Sequence, residues 1–113
     1  MNIVNRAALT VIPKQPYVDW ANSVDEEEPK LSLNSPYLEY TVYLIGNVAN
    51  DQDVAAELKK HYAEIFQEEL VAWMQEEKTW PEKRDYETFR EWFDVKVSSM
   101  VIDLSGHERV VEE

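Results

Sequence analysis

The sequence predicts an α+β fold with a small three-stranded sheet, expected to be mixed, and helices packed mainly on one face. Three observations lead to this class. Apolar residues recur with strand or helix spacing in six segments, in the order β-α-β-α-α-β. At 113 residues the chain suits one domain and is too short for two, so we expect 1–113 to fold as a single domain. Four Trp, six Tyr and three Phe supply large side chains for one core.

The first strand and the first helix are predicted before residue 25. The apolar run AALTVI at 7–12 indicates a buried strand that ends at Pro13. After Pro16, apolar residues follow at i, i+3, i+4 and i+7, which is the spacing of one helix face. These residues are Tyr17, Trp20, Ala21 and Val24. The acidic, turn-rich segment DEEEPKLSLNSP then predicts a loop.

The second strand is predicted just before the longest helix. The segment YLEYTVYLI at 37–45 alternates with period two, and we expect Tyr43, on its more polar face, to be exposed. Helical spacing then covers 51–77, with Asp51 or Asp53 available as the N-cap. The predicted buried stripe of this helix consists of Ala55, Leu58, Tyr62, Ile65, Phe66, Ala72 and Trp73.

A short helix and the last strand complete the predicted fold. A capping box that starts at Thr79, or Asp85 as a second N-cap candidate, would begin the helix. From Asp94 the apolar period changes to two, and both faces of the strand stay apolar as far as Leu104. A strand with two apolar faces is usually central, so we expect this strand in the middle of the sheet. The tail, about 105–113, is expected to be flexible.

The charge of the chain is its strongest global feature. There are 23 acidic and 11 basic residues, which give a formal net charge of −12. Repulsion from phosphates argues against direct binding of nucleic acid or an anionic membrane, whereas a basic protein partner is favoured. No apolar stretch approaches the roughly 20 residues that span a bilayer, and the N-terminus is a poor signal peptide. We therefore expect a cytoplasmic protein.

One flank of the long helix collects the candidate partner-binding residues. They are Glu57, His61, Glu64 and Glu68, which share a helix face. Such a flank is a solvated surface, a site for a basic partner, or a metal site that uses His61 with neighbouring carboxylates. We predict no catalytic residue, cofactor or metal ligand, because the other helices offer no second His. Trp80 and Tyr43, if exposed, would add aromatic side chains to a partner-binding surface.

Two carboxylates occupy apolar surroundings in the predicted elements. Glu69 interrupts the apolar stripe of the long helix, and Asp103 lies between two apolar residues of the last strand. Burial of either group is costly without a partner. Arg84 and Arg90 are candidates for buried ion pairs with these acids through bidentate hydrogen bonds. Such pairs are most often structural, although perturbed carboxylates also mark functional sites.

Several short motifs are distributed along the chain between residues 5 and 104. They are NRAAL at 5–9, Trp80-Pro81, Arg84, Phe89, Trp92-Phe93-Asp94-Val95, Ser99-Met100-Val101, Asp103 and Leu104. With these motifs the chain resembles a group of small acidic bacterial proteins of unknown function. The resemblance implies an independent cytoplasmic domain from a bacterium, and it brings no catalytic residues.

Three classes of function are consistent with these features. The first is a non-catalytic interaction or regulatory and inhibitor module, in which the acidic helix flank and the run at 25–28 engage a basic partner. The second is a nucleic-acid mimic, which would require two regular rows of exposed acids; the balanced charges of 78–96 argue against it. The third is a small metal-binding protein or enzyme that uses His61 and neighbouring carboxylates. We adopt the first as the prediction.

Overall fold

The computed structural model describes residues 2–25, 30–36 and 38–105. Within these ranges the chain forms an α+β fold with three α-helices and two sheets. The strands are β1 (Asn2–Ile3), β2 (Ala7–Pro13), β3 (Thr41–Ile45), β4 (Phe93–Ser98) and β5 (Ile102–Asp103). The helices are α1 (Gln15–Val24), α2 (Asp51–Trp73) and α3 (Tyr86–Trp92), and a short 3-10 turn covers Glu77–Thr79. The predicted order of strands and helices is present, with β1 and β5 added at the two ends.

The three-stranded sheet is antiparallel and has the order β3-β2-β4. The prediction of a mixed sheet is wrong, because all pairs in this sheet are antiparallel. The prediction that the last strand is central is also wrong, because β2 lies in the middle. The sequence FDVKVS of β4 alternates apolar residues with Asp94, Lys96 and Ser98, which are exposed, so one face of β4 is solvated. The apolar residues that suggested two buried faces lie further along the chain, where Met100 and Leu104 are exposed.

Strands β1 and β5 form a ribbon that continues the pairing of β2 with β4. Ile3 pairs with Ile102 in the ribbon, and Ala8 pairs with Ser98 in the sheet. Between these two pairs, four residues of the N-terminal strand lie opposite three of its partner. This segment interrupts the ladder between the ribbon and the three-stranded sheet. The ribbon therefore extends past the end of the three-stranded sheet.

The core lies on one face of this sheet. Along β2, Ala7, Leu9 and Val11 are fully buried, while the residues between them are only half-buried. The buried side chains of β2 belong to one cluster with those of the three helices. On α2, Phe66 is central to this cluster, because its ring lies 5.5 Å from both Trp92 and Phe93. The opposite face of the sheet has no helix from the described residues packed on it.

The helix starts differ in part from those predicted. Helix α2 begins after Asn50, whose side chain accepts a hydrogen bond from the Asp53 backbone N–H at 3.0 Å, so the prediction of Asp51 or Asp53 as N-cap is wrong. The capping box at Thr79 begins no helix, since that segment forms only the 3-10 turn. Asp85 is the N-cap of α3 as predicted, and its side chain accepts from the Thr88 backbone N–H at 2.9 Å.

Two predicted features fall largely outside the described residues. They are the acidic run at 25–28, of which only Asp25 is described, and the flexible tail at 105–113, of which only Ser105 is described. None of the described helices is both long enough and apolar enough to cross a membrane.

Candidate partner-binding surface

The uncovered side of the three-stranded sheet, called here the open face, exposes apolar side chains. Because side chains alternate along a strand, Val42 and Leu44 of β3 point away from the helices. These two side chains are 55% and 58% exposed. In the register of the sheet, Leu44 lies beside Ala8, and Val42 lies beside Thr10. The open face thus combines a half-buried central strand with an exposed apolar edge on β3.

Further apolar groups extend the exposed surface beyond the sheet. Tyr40 just before β3 is 57% exposed, the β1–β5 ribbon exposes Ile3 and Ile102, and Met100 is exposed between β4 and β5. Single exposed apolar residues are common on proteins, whereas large contiguous apolar patches are typical of interaction surfaces.

Helix α2 places its predicted acidic flank along the outer edge of β3. This flank consists of Glu57, His61, Glu64 and Glu68. A cavity of about 90 Å³ between β3 and α2 is lined by Leu44 from the open face, by Tyr43 from the core face, and by His61 and Glu64. The consecutive residues Tyr43, Leu44 and Ile45 of β3 thus line the same cavity as His61 and Glu64 of α2. The acidic flank and the exposed edge of β3 are therefore adjacent.

The side chains of the acidic flank differ in their burial and their contacts. His61 Nε2 lies 3.2 Å from Glu57 Oε2, and both side chains are partly buried. Glu57 also contacts the start of the loop after β3, since a Cβ atom at Gly46 would lie 3.0 Å from Glu57 Oε1. Glu64 and Glu68 are exposed, and within the described chain neither forms an ion pair. These two carboxylates are available to a partner.

The acidic flank does not assemble a metal site. Among the described residues, no group of three His, Cys, Asp or Glu side chains is placed to hold a metal ion. His61 has the single carboxylate of Glu57 beside it, whereas metal sites between helices draw ligands from several facing elements.

Glu69 is buried as its position on the apolar stripe predicts, but hydroxyl groups rather than arginines hold it. It is 5% exposed, and its Oε2 accepts a hydrogen bond from the Tyr43 hydroxyl at 2.6 Å. Burial raises the pKa of the Glu69 carboxyl, while hydrogen bonds from Tyr43 and Thr41 act in the opposite direction. Burial and the nearby Glu69 also raise the pKa of Tyr43, so this phenol keeps the proton that it donates.

The cavity beside Glu69 is small. The adjoining cavity has a volume of about 140 Å³ and is lined by Tyr17, Thr41 and Trp73 among others. Pockets for small molecules typically hold about 300 Å³ or more. The Tyr17 hydroxyl donates to the Glu69 carbonyl oxygen at 2.8 Å, so it is also engaged in holding α2. Glu69 therefore acts as a structural group between α2 and β3.

The two aromatic residues predicted as exposed are both half-buried. Tyr43 points to the core face and uses its hydroxyl on Glu69. Trp80 donates its indole N–H to the Met74 carbonyl at 2.8 Å, and the Arg84 guanidinium lies 5.7 Å from its ring centre. The prediction that these side chains are exposed is wrong, because each has a polar group that finds its partner inside the fold.

The predicted arginine ion pairs also differ from the observed geometry. Arg84 is exposed, and its Nη1 donates to the Pro81 carbonyl at 2.6 Å, so it forms no buried pair. Arg90 precedes β4, whereas Asp103 lies in β5, ten residues beyond Phe93. Within the described chain, no ion pair of Arg90 is found. Asp103 Oδ1 instead accepts from the Ser105 backbone N–H at 2.9 Å.

Comparison of the chain with protein-family models, with curated proteins and with solved structures finds no match. The resemblance to small acidic bacterial proteins stays a prediction. We therefore infer a function from the surface itself.

Proposed function

We propose that this protein is a non-catalytic interaction module, of the regulatory or inhibitor kind, that binds a basic protein partner. One observation carries the proposal: the acidic flank of α2 lies beside the apolar, exposed edge of the sheet. Protein interfaces combine a desolvated apolar centre with a polar rim. Val42 and Leu44 suit such a centre, and Glu64 and Glu68 suit the rim.

The sign of the partner's charge follows from the net charge of the chain. At −12 the protein attracts a cationic partner over a distance of about one Debye length, and the attraction weakens as salt is added. Complementary charges mainly raise the association rate and exclude partners of the wrong sign. Binding should therefore be strongest at low salt.

The two alternative functions lack a comparable observation. A metal-dependent activity at His61 would need ligands beyond Glu57, and the part of the chain that the structure describes brings no third such side chain into place. A nucleic-acid mimic would need two regular rows of exposed carboxylates, whereas segment 78–96 holds five acidic and five basic residues.

A pair of charge-reversed variants tests the proposal. Glu64→Lys with Glu68→Lys reverses the acidic flank, and Glu87→Lys with Glu91→Lys makes the same change in net charge on exposed positions of α3. Each protein serves as bait in an extract of its host cells. A captured protein is identified by mass spectrometry, purified and bound again at low salt and at about 0.15 M salt.

We expect the unchanged protein and the α3 variant to bind one basic protein, less tightly at the higher salt. We expect the flank variant not to bind it. Equal binding to all three proteins would refute the proposal. Duplex DNA is added as a competitor. Displacement of the partner by DNA would favour the nucleic-acid mimic instead.

A further inference from the structure

We propose that the outer edge of β3 binds an extended segment of the partner as an additional antiparallel or parallel strand. In this segment, lysine or arginine alternates with apolar residues. The inference rests on the proposed function and names the chemistry and the binding mode of the partner. Strand addition of this kind obtains affinity from backbone hydrogen bonds and specificity from alternate side chains.

The edge of β3 is open to such pairing. Among the described residues β3 pairs only with β2, so one side of its backbone faces no strand. Proteins usually block exposed strand edges with charged residues, proline or bulges. The sequence TVYLI of β3 contains none of these.

The other edge of the same sheet, formed by β4, is protected against pairing with an added strand. Strand β4 carries Asp94 and Lys96, both exposed, on its open face. In addition, Asp94 Oδ1 accepts a hydrogen bond from the Val95 backbone N–H at 3.0 Å. Charged residues protect β4, and β3 has no equivalent.

The two sides of an added strand would meet different surfaces. Its side chains alternate between the faces of the sheet. Those on the core side would project over the acidic flank, toward Glu64 and Glu68, which suits lysine or arginine. Those on the other side would lie beside Val42 and Leu44, which suits apolar side chains. Alternation of basic and apolar residues is therefore the sequence that this edge selects.

The dimensions of the two elements agree with this pattern. The acidic flank extends from Glu57 to Glu68, which at 1.5 Å per residue is about 16 Å of helix. Side chains on one face of a strand recur about every 6.8 Å, so three of them extend over roughly 14 Å. Three basic side chains of an added strand would therefore fit along the acidic flank.

A second copy of the chain is a poorer occupant of the same edge. Pairing of β3 with β3 of another copy would form a continuous sheet with the two α2 helices on the same side. The two acidic flanks would then face each other, and Glu64 and Glu68 of each copy would repel those of the other. Charge complementarity therefore selects a basic segment.

Synthetic peptides test the inference directly. The parent peptide has eight residues, lysine alternating with valine, and blocked termini. Two derivatives carry N-methyl groups on every second residue, one on the lysines and the other on the valines. In an extended peptide, each derivative lacks the backbone N–H donors along one edge and keeps those along the other. Only one edge of an added strand faces β3, so strand addition must favour one derivative over the other. Binding is measured by calorimetry, and hydrogen exchange of Thr41–Ile45 is followed by NMR.

We expect the parent peptide to bind with one-to-one stoichiometry and one derivative to bind at least about tenfold more weakly than the other, a difference of 1.4 kcal/mol. Backbone amides of β3 should gain protection on binding. Glu64→Lys with Glu68→Lys should weaken the parent peptide about tenfold, while Glu87→Lys with Glu91→Lys should leave its affinity within about twofold. Circular dichroism of the two variants checks that both are folded.

Three outcomes would overturn the inference: equal affinity of the two derivatives, absence of binding by the parent peptide, or a dimer formed through β3. If the host partner still binds in a salt-dependent way that requires Glu64 and Glu68, only strand addition fails. If the flank variant captures that partner as well as the unchanged protein does, the proposed function itself fails.

Discussion

Glu69 is a carboxyl group buried between a helix and a strand, and the described residues give it no cationic partner. Its charge is costly to desolvate, which is why burial raises its pKa. The Tyr43 hydroxyl, 2.6 Å from Oε2, supplies a hydrogen bond whether the carboxyl is charged or neutral. Glu69 thus depends on the hydrogen bond from Tyr43. This explains why Tyr43, which the sequence predicts to be exposed, points into the fold.

Replacement of Tyr43 by Phe should destabilise the protein. The variant keeps the ring but removes the donor, so the buried carboxylate loses a hydrogen bond. We expect the free energy of unfolding at pH 7 to fall by about 1–3 kcal/mol. Urea denaturation measures the change. The matched control is Tyr40→Phe, because Tyr40 is exposed, and an equal loss in both variants would contradict the role of Tyr43.

The raised pKa of Glu69 predicts a pH dependence with a defined sign. The folded state holds the Glu69 proton more tightly than the unfolded state, where the ordinary pKa is 4.5. Stability is therefore lost as the pH rises from 4.5 through the pKa of the folded protein. Glu69→Gln has no such titration. We expect the free energy of unfolding of the unchanged protein, relative to this variant, to decrease as the pH rises above 4.5.

Denaturation curves at several pH values give this difference. Glu64→Gln removes an exposed carboxyl from the same helix and corrects for the change in net charge. A difference between the Glu69 variant and the unchanged protein that stays constant with pH would show that Glu69 has the same pKa in both states.

At the scale of elements, α2 begins with reciprocal hydrogen bonds. The Asn50 side chain accepts from the Asp53 backbone N–H at 3.0 Å, and Asp53 Oδ2 accepts from the Ala49 backbone N–H at 2.9 Å. The acidic side chains of Asp51 and Asp53 in the first turn also suit the positive end of the helix dipole. This start fixes the phase of α2, and with it the position of the acidic flank beside β3.

Loss of the Asn50 cap should weaken α2. Asn50→Ala removes the acceptor for the Asp53 N–H, and we expect it to reduce the free energy of unfolding by about 1 kcal/mol. Asn50→Ser provides another good N-cap and should retain most of the stability. Chemical denaturation compares the two variants. Equal stability of Asn50→Ala and the unchanged protein would show that the cap is unimportant.

At the scale of the whole molecule, one aromatic cluster connects the helices to the sheet. Phe66 of α2 lies 6.0 Å from Phe89 of α3 and 5.5 Å from Phe93 of β4, measured between ring centres. All three side chains are fully buried. Since α3 passes into β4 without a loop, this cluster fixes both the helix and the strand that follows it.

Truncation of Phe66 should therefore affect the entire fold. Phe66→Ala leaves a cavity at the junction, and we expect a loss of about 3–5 kcal/mol. This is a large part of the 5–15 kcal/mol by which a typical domain is stable. Phe66→Leu fills more of the space and should cost less. Thermal unfolding followed by circular dichroism checks the order, and similar melting temperatures for both variants would contradict it.

The sequence was sufficient for most elements but not for the arrangement of the sheet. Helix periodicity located Leu58, Ile65 and Phe66 in the core, and all three are buried. The position of β2 in the middle could not be inferred, because its apolar run is compatible with either a central or an edge strand. Pairing between strands is a tertiary property, and alternation within one strand does not determine it.

The candidate surface was only half predictable for the same reason. The helical spacing of Glu64 and Glu68 placed them on one flank of α2, as observed. Which strand lies beside that flank depends on how α2 crosses the sheet, and no local pattern encodes this. Alternation in β3 separated Val42 and Leu44 from Tyr43, but the sequence predicted the wrong face as the exposed one, because the hydrogen bond from Tyr43 to the buried Glu69 is a tertiary contact.

The register of β2 has a consequence for how the chain acquires its structure. Ala8 pairs with Ser98, so the central strand waits for a partner strand that is synthesised about 90 residues later. Contacts between such distant positions slow folding, because a long loop must close first. Until β4 emerges, β2 has only β3 to pair with, and a growing chain exposes apolar surface prone to aggregation. Any lesion that delays β4 should therefore reduce the yield of folded protein more than its effect on final stability suggests.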